Sequence, residues 1–179
     1  LARVPAASVL VALGLLAALP ALGGCGFRPL YGDASQPGST GANLADIQIS
    51  PIANRSGQML RNNLLDRLTP RGTPRGARWR LDVALSESSE GVGILQNETI
   101  TRVNYRLDAN YQLVEVATGK PVLVRASRAI ASYNVPSSEF ATVVASKDAE
   151  ARAIDEIADE IRTRLAIYFD QVALGTKNP

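Results

Sequence analysis

A period of two, held from Thr99 to Val116, constrains this chain more than any other feature. Thr101, Val103, Tyr105, Leu107, Ala109, Tyr111 and Leu113 share one face; Arg102, Asn104, Arg106, Asp108, Asn110 and Gln112 share the other. Successive side chains of a strand point to opposite sides of a sheet. The alternation therefore predicts a long antiparallel strand with one packed face and one wet face. A sheet of that kind needs an apolar layer to cover its packed side.

The flanking segments supply one. Thr118-Gly119-Lys120-Pro121 closes a hairpin, and Val122 to Tyr133 returns beside the long strand. The apolar phase of the return slips between Ala126 and Ala129, which predicts a bulge near Ser127. Upstream, Trp79, Leu81, Val83 and Leu85 alternate with polar neighbours as a further strand, and the polar, glycine-bearing Ser86 to Gly93 stretch is expected to be a loop. A first short strand is expected over Asp46 to Ile52. Met59, Leu60, Leu64, Leu65 and Leu68 recur at helical spacing up to Pro70, and Ile154, Ile157, Ile161, Leu165, Tyr168 and Val172 do so in a helix capped by Ser137 or Ser138 and ending near Leu174. The expected fold is a two-layer α/β (α+β) sandwich: a sheet of about four mostly antiparallel strands backed by two helices, in the order β-α-β-β-β-α.

The first residues have a different purpose. Arg3, an apolar run from Val9 to Leu19, and Pro20 followed by small residues form the layout of a secretory signal. The run is about 11 residues, where a spanning helix needs roughly 20. Leu22-Gly23-Gly24-Cys25 resembles the bacterial lipobox, which implies cleavage before Cys25 and lipidation of its side chain. Several acyl chains hold a protein to a membrane far more firmly than one. The residue after the cysteine is Gly26 rather than the aspartate that commonly retains such lipoproteins at the inner membrane, which favours the outer one. The division expected is a cleaved signal peptide over 1–24, a lipidated N-terminus and flexible tether over 25–45, one periplasmic domain over 46–175, and a disordered tail over 176–179.

Composition narrows the chemistry. Cys25 is the single cysteine and histidine is absent, so once the thiol carries lipid there is no disulfide, no cysteine nucleophile and no Cys/His metal site to propose. Asp155 and Asp159, and Glu156 and Glu160, sit four apart, but on an amphipathic helix that spacing describes a solvated face. Ser146 and Lys147 are adjacent, and neighbours on a helix point about 100° apart rather than at each other. No glycine-rich phosphate loop links a strand to a helix. The expectation is no enzyme and no cofactor beyond the covalent lipid on Cys25.

Net charge is only +2, yet it is unevenly spread. Arg55 to Arg80 holds seven arginines and one acid, whereas Glu139 to Asp170 holds eight acids and four bases. The Pro70-Arg71-Gly72-Thr73-Pro74-Arg75-Gly76 segment must be an exposed basic loop. Nucleic-acid binders interleave aromatic residues with such charge, and here none precedes Trp79, so no nucleic-acid partner is expected. Attraction to another anion, such as a lipid phosphate or an acidic protein cavity, fits better. Arg71 and Arg75 in the loop, Arg102 on the wet face of the long strand, and Lys147 near a helix start are the candidate contacts.

The string Gly24-Cys25-Gly26-Phe27-Arg28-Pro29-Leu30-Tyr31-Gly32 resembles the mature start of the LptE family of lipopolysaccharide-assembly lipoproteins, in its alphaproteobacterial form. The similarity continues through Arg61-Asn62-Asn63-Leu64, Tyr105-Arg106-Leu107, Lys147-Asp148-Ala149-Glu150 and Ile161-Arg162-Thr163-Arg164-Leu165. The resemblance implies an outer-membrane lipoprotein, anchored by its lipid on the periplasmic face, that plugs and supports the β-barrel LptD during delivery of lipopolysaccharide. It also implies lipopolysaccharide contact through basic residues, with Lys147 at a matching position. A periplasmic lipoprotein that activates or tethers a cell-wall enzyme, and an auxiliary lipoprotein of a lipid transporter, share the same anchor and module.

Overall fold

The computed structural model describes residues 38–94 and 100–175. The leader, Cys25 with its flanking residues, and the 176–179 tail lie outside the described residues. The elements are α1 (Thr40–Ala45), β1 (Ile47–Ile49), α2 (Asn54–Leu68), β2 (Trp79–Ile94), β3 (Ile100–Glu115), β4 (Pro121–Asn134) and α3 (Glu139–Ala173). One sheet runs β1-β2-β3-β4, with β1 parallel to β2 and the other neighbours antiparallel. The helices α2 and α3 cover one face, giving the two-layer α+β sandwich expected.

The long strand keeps the phase its sequence predicts. Tyr105, Leu107, Ala109, Tyr111 and Leu113 of β3 are all buried, against Leu60, Leu64 and Leu68 of α2 and Ile154, Ile157, Ile161 and Leu165 of α3. Burying one such aliphatic side chain contributes roughly 1.5–3 kcal/mol, so this cluster dominates the fold's stability. Trp79 and Phe169 close one end of it, their ring centroids 5.5 Å apart. Near Gly57, α2 passes Ile52 so closely that a Cβ would lie 2.7 Å from Ile52 Cγ2. The close approach explains a glycine inside a helix, where it costs about 1 kcal/mol relative to alanine. None of the described helices is long and apolar enough to cross a membrane.

Three expectations are corrected. The tether does not extend to residue 45: Ser39 caps α1 by accepting a hydrogen bond from Ala42 N at 3.2 Å, and Leu44 enters the core. Ser86 to Gly93 is not a loop, because β2 continues through it, paired residue by residue with β3 as far as Val92 with Arg102 and beyond. A strand needs a backbone partner more than a core, and the unbroken β3 provides one. No bulge occurs near Ser127. The β3–β4 register is continuous from Arg102 and Asn134 to Leu113 and Leu123, and its one irregularity falls at Leu113/Val114. The apparent slip arises because β4 places Arg125 and Ser127 on the inner face and Val124 and Ile130 on the wet one.

Candidate functional site

The two layers are nearly matched in length but not in packing. At 1.5 Å per residue the 35 residues of α3 span about 52 Å, and at 3.4 Å per residue the 16 of β3 span about 54 Å. Buried residues of α3 begin only at Ala149, so Glu139 to Asp148 contribute no buried side chain. On the sheet side, Ser86 to Val92 are all exposed. The core therefore thins toward one end of the sandwich, the open end, where β2 and the start of α3 run past it.

The open end combines three features. First, Phe140, Val143 and Val144 project from the start of α3, with Phe140 79% exposed, and Lys147 follows on the same face at helical spacing. Second, Arg102 stands on the wet face of β3, between Val92 of β2 and Asn134 of β4 in the register. Because α3 begins just after Asn134, Arg102 and Lys147 share this end. Third, a cleft of about 650 Å³ lies between the helices and the inner face, lined by Arg55, Ser56, Glu87, Tyr105, Tyr133 and Glu150 among others.

Polar groups in the cleft largely satisfy each other. Glu87 Oε2 accepts hydrogen bonds from Ser56 Oγ at 3.0 Å and from Tyr105 Oη at 2.5 Å. Burial, and then the neighbouring Glu87 carboxylate, push the Tyr105 phenol well above its ordinary range. Arg55 pairs with Glu150 at 3.0 Å. The cleft thus holds no unpaired acid–base couple. Among the described residues no group of three or more Asp, Glu, His or Cys side chains is placed to hold a metal ion.

The four candidate cations fall at opposite ends. Arg71 and Arg75 are exposed in the loop between α2 and β2, beside Trp79, whereas Arg102 opposes Val92. The run of β2 from Trp79 to Val92 separates the two levels by about 43 Å at 3.3 Å per residue, so one phosphate group cannot meet all four. They share one property. Most other arginines face an acid: Arg67 bridges Asp155 at 3.2 Å and Asp159 at 2.7 Å, clamping α2 to α3, and Arg55, Arg78, Arg80, Arg106, Arg128, Arg152 and Arg164 have acidic partners too. Arg71, Arg75, Arg102 and Lys147 take part in none of these pairs.

The clamp also explains Asp155 and Asp159, whose four-residue spacing serves an interhelical ion pair. Sequence reasoning missed the Glu87–Tyr105–Ser56 network, since Glu87 sat in a supposed loop. It also missed the Phe140, Val143, Val144 stripe, although the three-and-four spacing leading to Lys147 was a usable signal.

A family model for lipopolysaccharide assembly, LptE, matches residues 44–165. An uncharacterised protein of Rickettsia prowazekii is 26% identical over 145 residues, 81% of this chain and 88% of that one. Among solved structures, a candidate lipoprotein of Caulobacter crescentus has a TM-score of 0.61 at 21% identity, covering 73% of this chain and 96% of its own. A minor lipoprotein of Acinetobacter baumannii has a TM-score of 0.56 at 17% identity, with coverage of 68% and 90%. At these identities the structural likeness shows the sandwich itself.

Proposed function

We propose, from the premise that this chain belongs to the LptE lipopolysaccharide-assembly family, that it is an outer-membrane lipoprotein which plugs and supports the LptD β-barrel and touches lipopolysaccharide at its open end. The role is architectural: the chain occupies and orders a partner rather than transforming a substrate. Arg102 and Lys147 meet phosphate groups of the lipid, while Phe140, Val143 and Val144 lie against its acyl part or against the barrel wall. Arg71 and Arg75, at the far end, face a different anion. The observation that carries this reading is the pairing of cations that meet no acid among the described residues with an exposed apolar stripe, on a domain whose family assembles an anionic lipid. Attachment falls to a lipid on Cys25.

The test uses Arg102→Glu and Lys147→Glu together in the full chain. Reversing two exposed charges leaves the apolar faces untouched, so the barrel should be recovered at its normal yield while the outer membrane becomes leaky. Binding of lipopolysaccharide to the purified protein should weaken, and for the parent it should fall with salt, since exposed charges are screened over about 8 to 10 Å near physiological ionic strength. Unchanged binding at low salt would remove these residues from the site. For the anchor, Cys25→Ala should yield a precursor that takes up no radioactive fatty acid and no longer fractionates with the outer membrane.

A further inference from the structure

Among the described residues, the last strand of the sheet has no neighbour on its outer side. Val135 N donates to Thr101 O at 2.9 Å, and in an antiparallel ladder opposed residues alternate between exchanging both hydrogen bonds and exchanging none. With the observed register, the bonded series continues through Val103 and Tyr133, Leu107 and Ala129, and Tyr111 and Arg125. The backbone N–H and C=O groups of Val124, Ala126, Arg128, Ile130 and Ser132 must then point away from β3. Two contacts agree: Arg125 Nη1 donates to Val124 O at 2.9 Å, and Arg152 Nη2 donates to Ser132 O at 3.1 Å. Between these two arginine caps, Ala126, Arg128 and Ile130 present an open window of backbone donors and acceptors.

The side chains around the window guard it only in part. Natural edge strands are blunted by charge, proline or a bulge; β4 has Pro121 and its one register irregularity at its start and Arg125 and Arg128 along its length, but from Leu123 to Asn134 the register is unbroken and the wet face carries Val124, 60% exposed, and Ile130, 49% exposed. The edge of β2 beyond β1, also unpaired among the described residues, differs: it carries Glu87 and Glu90 among serines. Strand β4 contains Arg125 and Arg128 and no acid. Arg128 is matched by Asp108 on β3, but Arg125 has no acidic partner among the described residues. A second copy of β4 would therefore bring arginine against arginine.

We infer that the free edge of β4 is a strand-docking site for an extended, acid-bearing segment of the barrel partner. The incoming backbone pairs with Ala126, Arg128 and Ile130, its apolar side chains cover Val124 and Ile130, and an acid meets Arg125. The identity of the occupant rests on the function proposed above; the edge itself does not.

The experiment measures amide hydrogen exchange in the full chain, alone and as co-purified with the barrel. The Ala126, Arg128 and Ile130 amides should exchange at least tenfold more slowly in the complex. Arg128→Pro removes an outward donor and leaves the β3 ladder intact, and Arg125→Glu changes no backbone group, so each should lower barrel recovery by tenfold or more with the chain still folded by circular dichroism. Equal exchange in the two states overturns the inference, as does full recovery by Arg125→Glu. Concentration-dependent self-association that protects the same amides also overturns it, in favour of a second copy. Failure of the parent chain to recover any barrel would sink the proposed function instead. The edge is then judged with a synthetic eight-residue peptide of alternating valine and glutamate, which must slow these amides in the full chain for the docking site to stand.

Discussion

The two ends of this sandwich are made of the same strands and the same helix, yet the core thins out toward one of them. From Trp79 to Leu85, Leu107 to Leu113 and Ala149 to Phe169, the inward positions are filled by large aliphatic and aromatic residues and by small alanines. From Ser86 to Val92 on β2 and Glu139 to Asp148 on α3, the same elements continue with no buried side chain. Regular backbone therefore reaches well past the core. Hydrogen bonding along a ladder or a helix propagates locally, whereas burial needs three or more elements to converge. That end also presents Arg102 and Lys147, which meet no acid among the described residues, and the exposed side chains of Phe140, Val143 and Val144.

The strongest test of this contrast sets neighbouring residues of one strand against each other. Leu107 is fully buried, and Leu107→Asp leaves a carboxylate among aliphatic side chains, at a cost of several kcal/mol. Asp108→Leu removes only the exposed pair with Arg128, for which about 0–1 kcal/mol is usual. Thermal melts should separate the two widely, and similar losses would refute the strand's phase.

A smaller effect distinguishes the ends by pH. Asp82, at the packed end, is opposed by burial, but hydrogen bonds from Ser50 at 2.6 Å, from Arg80 and from Gln112 outweigh it and hold its carboxyl below the ordinary value. A depressed carboxyl stabilises the fold above its unfolded pKa of about 3.9, and that stability is lost as the pH falls through the folded value. Tyr105, beside the open cleft, is shifted the other way. Its contribution is whole below the unfolded value of about 10 and is lost as the pH rises above it. Asp82→Asn should flatten the acid limb of the melting-temperature profile, and Tyr105→Phe the alkaline limb. If each variant altered the opposite limb, the assignment of the two networks would fail.

The smallest change in stability is expected where the functional effect is large. Phe140→Ser with Val144→Ser alters exposed positions, and surface substitutions usually stay within about 0.5 kcal/mol. Melting should be almost unchanged while lipopolysaccharide binding by the full chain falls. A melting temperature several degrees lower would mean that the start of α3 is packed after all, and the division into two ends would lose its basis.

Much of this was legible in one dimension. The phase of β3, the stripe of α3 from Ile154 to Tyr168 and the basic loop at Arg71 and Arg75 follow from side-chain period and from residues that cannot continue a helix, both properties of the local chain. The resemblance carried by Arg61-Asn62-Asn63-Leu64 and Lys147-Asp148-Ala149-Glu150 led to the family that the match over residues 44–165 establishes. Local pattern failed at Ser86 to Gly93, where polar residues form strand because β3 lies alongside, and at Ser127, where a small polar residue sits inward under a helix. Only the tertiary structure decided that Arg102 and Lys147 share an end while Arg71 and Arg75 lie at the other, and that Asp155 and Asp159 are spent on Arg67. Those are relations between residues far apart in the chain. Periodicity specifies which way a side chain points from its own backbone, but distance between elements is set by how long each ladder and helix runs before its partners stop.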